Sequence, residues 1–122
     1  MRMLAKVTIP VERGNDALKS GALPRTMQSA MDKLQPEAAY FFWEDGKRAC
    51  LFVFDLEGPW RLPSLLEPLF QNLDASVHVT PVMNGAEFEQ GLRDADDEQR
   101  KLAHESEFLA DIAPLPAELQ AD

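Results

Sequence analysis

Three polar side chains on predicted strands have the chemistry of a general base. His78 can accept a proton near neutral pH, and Tyr40 and Asp55 lie in runs rich in aromatic residues. A carboxylate surrounded by aromatic rings is a stronger base than one in water, and such a group suits deprotonation of a phenolic or lactone substrate. We therefore take His78, Tyr40 and Asp55 as catalytic candidates. The structural alternatives are a hydrogen-bonded strand histidine, a core tyrosine and an aspartate that ends a strand.

The sequence contains no pattern for a metal or a nucleotide. Bound zinc or iron usually takes about three ligands, whereas the second histidine, His104, lies far from His78 in an acid-rich segment. The glycine motifs of dinucleotide-binding proteins, P-loop hydrolases and α/β-hydrolases are also absent from the sequence. We expect no metal and no cofactor, and we exclude these three enzyme classes.

A second group of residues is predicted to line a ligand cavity on strand surfaces. Lys6 can bind a carboxylate or phosphate together with Arg48, or it can pair with Glu44 instead. Cys50 has no activating partner in the sequence and is expected to be a buried, inert thiol. The predicted ligand-binding residues are Lys6, Thr8, Phe52, Phe54 and Thr80.

Alternating and helical spacings of apolar residues place these side chains on four strands and two helical regions. A break at Gly21 divides the first helical region, and Asp45-Gly46 marks the turn of a hairpin. The predicted elements are a strand at Met3–Ile9, a short helix at Asp16–Ser20 followed by a longer one to Leu34, strands at Ala38–Glu44 and Arg48–Leu56, a helix at Pro63–Leu73 and a strand at Ser76–Met83.

The predicted hairpin is apolar on both faces. A tight turn at Asp45-Gly46 pairs positions whose numbers sum to 91, so that Tyr40 faces Leu51 and Phe41 faces Cys50. Because an antiparallel sheet usually has one core face and one wet face, something must cover the second face.

The order strand, helix, strand, strand, helix, strand predicts a ferredoxin-like α+β fold, with both helices on one face of a four-stranded antiparallel sheet. A second copy packed on the helix-free face, as in a dimeric α+β barrel, would complete the burial, which predicts a homodimer.

The acidic charge is concentrated in the last third of the chain. Residues 1–83 carry 10 acidic and 9 basic side chains, whereas residues 84–122 carry 11 and 3. Asn84-x-x-Glu87 is typical of a capping box that opens a third helix, and Pro114 and Pro116 would leave a tail beyond it. We expect a folded domain at 1–95 with an acidic helical extension at 96–122, and no basic face for nucleic acid.

One cysteine and the lack of a signal peptide or membrane span predict a cytoplasmic protein with no membrane partner.

Four stretches of the sequence resemble a known superfamily. They are Pro36-Glu37-Ala38-Ala39-Tyr40-Phe41, Val53-Phe54-Asp55-Leu56, Glu67-Pro68-Leu69-Phe70 and Pro81-Val82-Met83-Asn84. Over about Met3 to Leu92 the chain resembles small uncharacterised bacterial proteins of the dimeric α+β barrel superfamily. That superfamily includes cofactor-free monooxygenases, haem-degrading enzymes, lactone isomerases and binding modules, so the resemblance implies the fold and no particular activity.

Three functions remain open on these grounds. The leading hypothesis is a dimeric module that binds a small apolar or aromatic molecule or acts as a scaffold. The enzyme alternative is a cofactor-free monooxygenase or isomerase acting on a small aromatic or ketonic substrate. The third is a protein-interaction module whose acidic helix docks on a basic partner or wraps the other protomer.

Overall fold

The structure, a computed structural model, describes residues 1–112, with the backbone alone at 108 and 110–112. The tail predicted around Pro114 and Pro116 lies outside the described residues. The elements are β1 (Arg2–Ile9), α1 (Val11–Ser20), α2 (Ala22–Leu34), β2 (Ala38–Glu44), β3 (Lys47–Asp55), a 3₁₀ turn (Pro59–Arg61), α3 (Leu62–Leu73), β4 (Ser76–Pro81) and α4 (Gly85–Ile112).

The strands form one antiparallel sheet in the order β2-β3-β1-β4. The connections through α1 and α2 and through α3 give the strand and helix order of a βαββαβ unit. The predicted α+β class and four-stranded antiparallel sheet are therefore confirmed, and the topology is consistent with a ferredoxin-like fold. The chain divides into compact units at Met1–Val82 and Met83–Asp122. The boundary between these units precedes α4. The predicted division into residues 1–95 and 96–122 stays a prediction.

The β2–β3 hairpin has the register that its turn residues predict. Asp45 and Gly46 both have positive φ values, 52° and 74°, as the favoured two-residue hairpin turn requires. Tyr40 consequently pairs with Leu51 and Phe41 with Cys50, as expected from the sequence. The turn thus determines which hairpin side chains share a face of the sheet.

One face of the sheet forms the core with the helices. Residues of β1 alternate between buried and half-buried positions, and their partners on β3 include Phe52 and Phe54, which are 0% and 1% exposed. Leucines at four-residue spacing on α3 pack into the same cluster. The buried residues of that cluster on the strands and on α3 are Met3, Ala5, Val7, Ile9, Cys50, Phe52, Phe54, Leu65, Leu69 and Leu73.

The first helical region is longer than the sequence pattern indicates. Gly21 takes a left-handed conformation with φ 85° and separates α1 from α2, as predicted, but α1 begins at Val11 instead of Asp16. Poor helix formers such as Gly14 obscure the pattern there. A Cβ at position 14 would lie 2.6 Å from Nη1 of Arg48, so the end of that arginine side chain would have to shift.

The second unit contains α4. The amide of Glu87 donates to Oδ1 of Asn84 at 2.8 Å, and the amide of Asn84 donates to Oε1 of Glu87 at 3.1 Å. These reciprocal bonds make the capping box expected from the sequence. No helix within residues 1–112 is both long enough and apolar enough to cross a membrane.

We predict that Phe52→Ala lowers the free energy of unfolding by about 3–5 kcal/mol, because it leaves a cavity under the helices. Urea denaturation followed by circular dichroism measures the change. Trp43→Ala is the control, since that side chain is 79% exposed, and its cost should stay below about 1 kcal/mol. Equal losses for the two variants would contradict the described core.

Candidate functional site

The helix-free face of the sheet has an apolar half and a polar half. Strand register places its side chains in rows that run from β2 across β3 and β1 to β4. The rows are Ala38, Val53, Leu4 and Thr80; Tyr40, Leu51, Lys6 and His78; and Phe42, Ala49, Thr8 and Ser76. The β2 and β3 side of this face is therefore apolar, and the β4 edge is polar.

The three catalytic candidates do not meet within one chain. Tyr40 and His78 stand at opposite ends of one row, three strand spacings or roughly 14 Å apart. Asp55 lies at the end of β3 and accepts a hydrogen bond from the N-terminal amine of Met1 at 2.8 Å. All three side chains are exposed. The described chain therefore holds no nucleophile and base within hydrogen-bond distance among these residues.

The predicted polar ligand residues occupy the polar half, and one of them is already paired. Nζ of Lys6 donates to Oε1 of Glu44 at 2.6 Å, the alternative that the sequence left open. Thr8 lies half-buried on the same face, and Thr80 is exposed at the β4 edge. Lys6 is thus committed to an internal ion pair, and Arg48 lies on the other face of the sheet.

The fold decides which face of the sheet Phe52 and Phe54 occupy, a choice that the sequence left open. Register puts these two predicted ligand-binding residues on the face covered by helices, where they are fully buried. Because side chains alternate along β3, Leu51 and Val53 take the helix-free positions next to them. Phe52 and Phe54 are core residues and offer no surface to a ligand in this conformation.

An apolar cleft that the sequence did not predict lies between α1, α2 and the β2–β3 hairpin. Its volume is about 250 Å³. Residues from five elements, β1, α1, α2, β2 and β3, form its walls, and almost all of them are apolar. The lining residues are Ile9, Leu18, Leu23, Met27, Phe41, Trp43, Arg48, Ala49 and Cys50.

The cleft exists because the edge strand β2 carries aromatic side chains that the helices leave largely uncovered. Phe41 and Trp43 point to the helix side of the sheet but remain 62% and 79% exposed. Phe41 nevertheless has a fixed position, because its ring meets Phe52 edge to face with centroids 6.2 Å apart. The buried core thus orients one wall of the cleft.

One cation and one thiol are the polar groups of the cleft. Arg48, the strand partner of Trp43, is anchored through a 3.0 Å bond from its Nη2 to Oδ1 of Asn15. Cys50 is 2% exposed, and burial raises the pKa of its thiol from 9.0 to about 11. The thiol is therefore protonated at neutral pH, as expected for a buried cysteine without an activating partner.

The sequence contained a signal for this cleft. Both faces of the hairpin are apolar in the sequence, and Phe41 lies on the face opposite to Tyr40, but the prediction assigns the surplus apolar surface to a partner on the helix-free face. Which strand lies beyond the helices depends on packing that local patterns do not encode.

Within residues 1–112 no cluster of three His, Cys, Asp or Glu side chains is arranged to hold a metal ion. The expected lack of a metal or cofactor stays a prediction.

Neither a protein-family model nor a curated protein matches the sequence.

We predict that Cys50 reacts with iodoacetamide at pH 8 at least about 100-fold more slowly in the native protein than in urea. A pKa raised from 9.0 to about 11 lowers the thiolate fraction by that factor. Because the folded pKa lies above the unfolded value, the thiol's contribution to stability is full below about pH 9 and falls as the pH rises toward 11. Mass spectrometry of quenched samples gives the two rates. Native and unfolded rates within a few-fold of each other would contradict a buried thiol.

Proposed function

We propose that this chain is a binding module for a small apolar or aromatic molecule, and that it takes this ligand in the cleft between α1, α2 and the β2–β3 hairpin. The observation that carries the proposal is the lining of the cleft, in which Phe41, Trp43 and Met27 surround about 250 Å³ of largely apolar space. Small-molecule sites are typically concave and apolar, with a few polar groups that orient the ligand. Arg48 is the orienting group here, since a guanidinium can interact with an aromatic face or an acidic substituent.

Rigidity of the cleft also supports binding. The edge-to-face contact holds Phe41, and the bond to Asn15 holds Arg48. A site with walls that are already ordered loses less conformational entropy when the ligand arrives. Trp43, which is largely exposed in the free chain, supplies apolar area that a ligand would cover.

We predict that 2-naphthol binds saturably, with one molecule per chain, and that Trp43→Ala weakens its binding about three- to tenfold through the loss of an aromatic contact. Equilibrium dialysis read by naphthol fluorescence measures the affinity independently of the protein's own tryptophans. Trp60→Ala is the matched control, because Trp60 is similarly exposed but lies outside the cleft. Binding that does not saturate, or that both variants weaken equally, would exclude the cleft as the site.

We further propose that two copies associate through their helix-free faces, as the resemblance to dimeric α+β barrel proteins implies. The support is the apolar half of that face, where Leu4, Leu51 and Val53 lie beside Tyr40 and Phe42. Tyr40 is 64% exposed in the single chain. Apolar patches of this kind commonly mark interfaces, and a twofold axis would place each patch on its own copy.

We predict that Leu51→Asp weakens self-association at least about 100-fold, because it would bury an unpaired charge between the two sheets. Sedimentation equilibrium at several concentrations measures the dissociation constant. Ser64→Asp adds the same charge on the helix layer, at a helix start that tolerates it, and should leave the constant unchanged. A wild-type monomer at high concentration, or a Leu51→Asp dimer, would overturn the proposed interface.

The other two hypotheses have less support. The enzyme alternative lacks a convergent set, since Tyr40, His78 and Asp55 are separated in the described chain. The interaction alternative rests on α4, where Phe88, Leu92, Leu102 and Leu109 are exposed among acidic residues. It stays a prediction, as do the cytoplasmic location and the expectation that the chain binds no nucleic acid.

A further inference from the structure

A second, polar pocket lies between the three helices of the first unit. It has a volume of about 260 Å³ and is lined by Arg13, Ala22, Arg25, Thr26, Ser29, Pro68 and Asn72. The four lining residues from α2 follow three- and four-residue spacing, so they form one stripe along that helix. Leu23 and Met27, which line the apolar cleft, lie on a different stripe. The two sites therefore use different faces of α2.

Asn72 links the three helices around this pocket. Its side-chain Nδ2 donates to Oγ1 of Thr26 at 3.2 Å, and its backbone carbonyl accepts a bond from Nε of Arg13 at 3.1 Å. Thr26 is only 5% exposed, so its hydroxyl has a fixed position at the pocket wall. The pocket is thus held by a polar network and is not a chance gap between helices.

Several hydrogen-bond donors of the pocket have no partner in the described part of the chain. The guanidinium of Arg25 makes neither a hydrogen bond nor an ion pair with any residue within 1–112, and the hydroxyl of Ser29 likewise has no bond there. Arg13 donates from Nε to the backbone carbonyl of Asn72, so its two terminal nitrogens are left to donate to a ligand. In a chain with net charge −9, an arginine without a carboxylate partner beside a pocket is unexpected.

Only one of the two arginines of the pocket also lines a cavity that contains carboxylates. Arg13 also borders a neighbouring cavity whose lining includes Glu12, Asp16 and Asp74. Both arginines line the polar pocket, but only Arg13 also shares a cavity with these acids, so Arg25 has no carboxylate beside it in either lining. An anion in the pocket would therefore depend mainly on Arg25.

We propose that this pocket binds a small anionic metabolite through a phosphate or carboxylate group. A guanidinium presents a planar pair of donors that matches two oxygens of either group, and the hydroxyls of Thr26 and Ser29 add donors from the same stripe. The volume is slightly below the ~300–1,000 Å³ of typical ligand pockets, which suits a compact ligand. The proposal is independent of the aromatic cleft.

The test is a titration of the full ¹⁵N-labelled chain with inorganic phosphate and, separately, with succinate, each against sodium chloride at equal ionic strength. We expect saturable shifts of the amides of Thr26, Ser29 and Asn72 with at least one of the two anions. Shifts with phosphate alone identify a phosphate ester as the ligand class. Shifts with succinate alone identify a carboxylate-bearing ligand, and shifts with both anions show that the pocket accepts either group.

Arg25→Gln should weaken this binding about tenfold or more, because it removes the charge and the paired donors. Arg61→Gln is the matched control, since it changes the net charge equally but lies outside the pocket, and it should leave the affinity unchanged. The same spectra report whether each variant is folded. The proposal is overturned if chloride produces the same shifts, if neither anion saturates, or if both variants bind as the wild type does.

Discussion

Burial of Phe52 and Phe54 under the helices is the constraint on which the arrangement of this molecule depends. Side chains alternate along a strand, so fixing these two rings fixes the face taken by every other residue of β3. Strand pairing with β3 then fixes which face each residue of β1 and β2 takes, and pairing with β1 fixes the faces of the residues of β4. A shift of one residue would move both rings into water and bring Leu51 and Val53 beneath the helices.

Both candidate ligand surfaces follow from the limited width of the helix layer. Three helices cover the core strands but leave Phe41 and Trp43 of the edge strand largely exposed, and this produces the apolar cleft. The same helices separate enough on their polar sides to leave the pocket at Arg25. Aromatic side chains line the cleft, whereas hydrogen-bond donors line the pocket. The two sites would therefore select chemically different ligands.

The sequence was sufficient for the fold because its signals were local. The turn at Asp45-Gly46 gave the hairpin register, and a break at Gly21 divided the first helical region. The candidate site was predicted less well. The sequence offered Glu44 as a partner for Lys6, and the two side chains do pair. It left open which face Phe52 and Phe54 take, because an apolar residue on a doubly apolar strand has no preferred side until the helices pack. The contacts around Asn72 join residues far apart in sequence and leave no periodic trace.

The edge position of β2 carries a risk of aggregation while the chain is being synthesised. An edge strand with the sequence Ala38-Ala39-Tyr40-Phe41-Phe42-Trp43 offers unpaired backbone groups and rings, the combination that nucleates aggregates. Glu37 stands before this run and Glu44 and Asp45 follow it, in the positions where charged gatekeepers discourage stacking of strands. Both gatekeeper glutamates are held by cations of β1, Arg2 and Lys6. β3 begins only two residues after β2 ends, so β2 acquires its pairing partner early in synthesis. The time during which the nascent strand stays unpaired is therefore short.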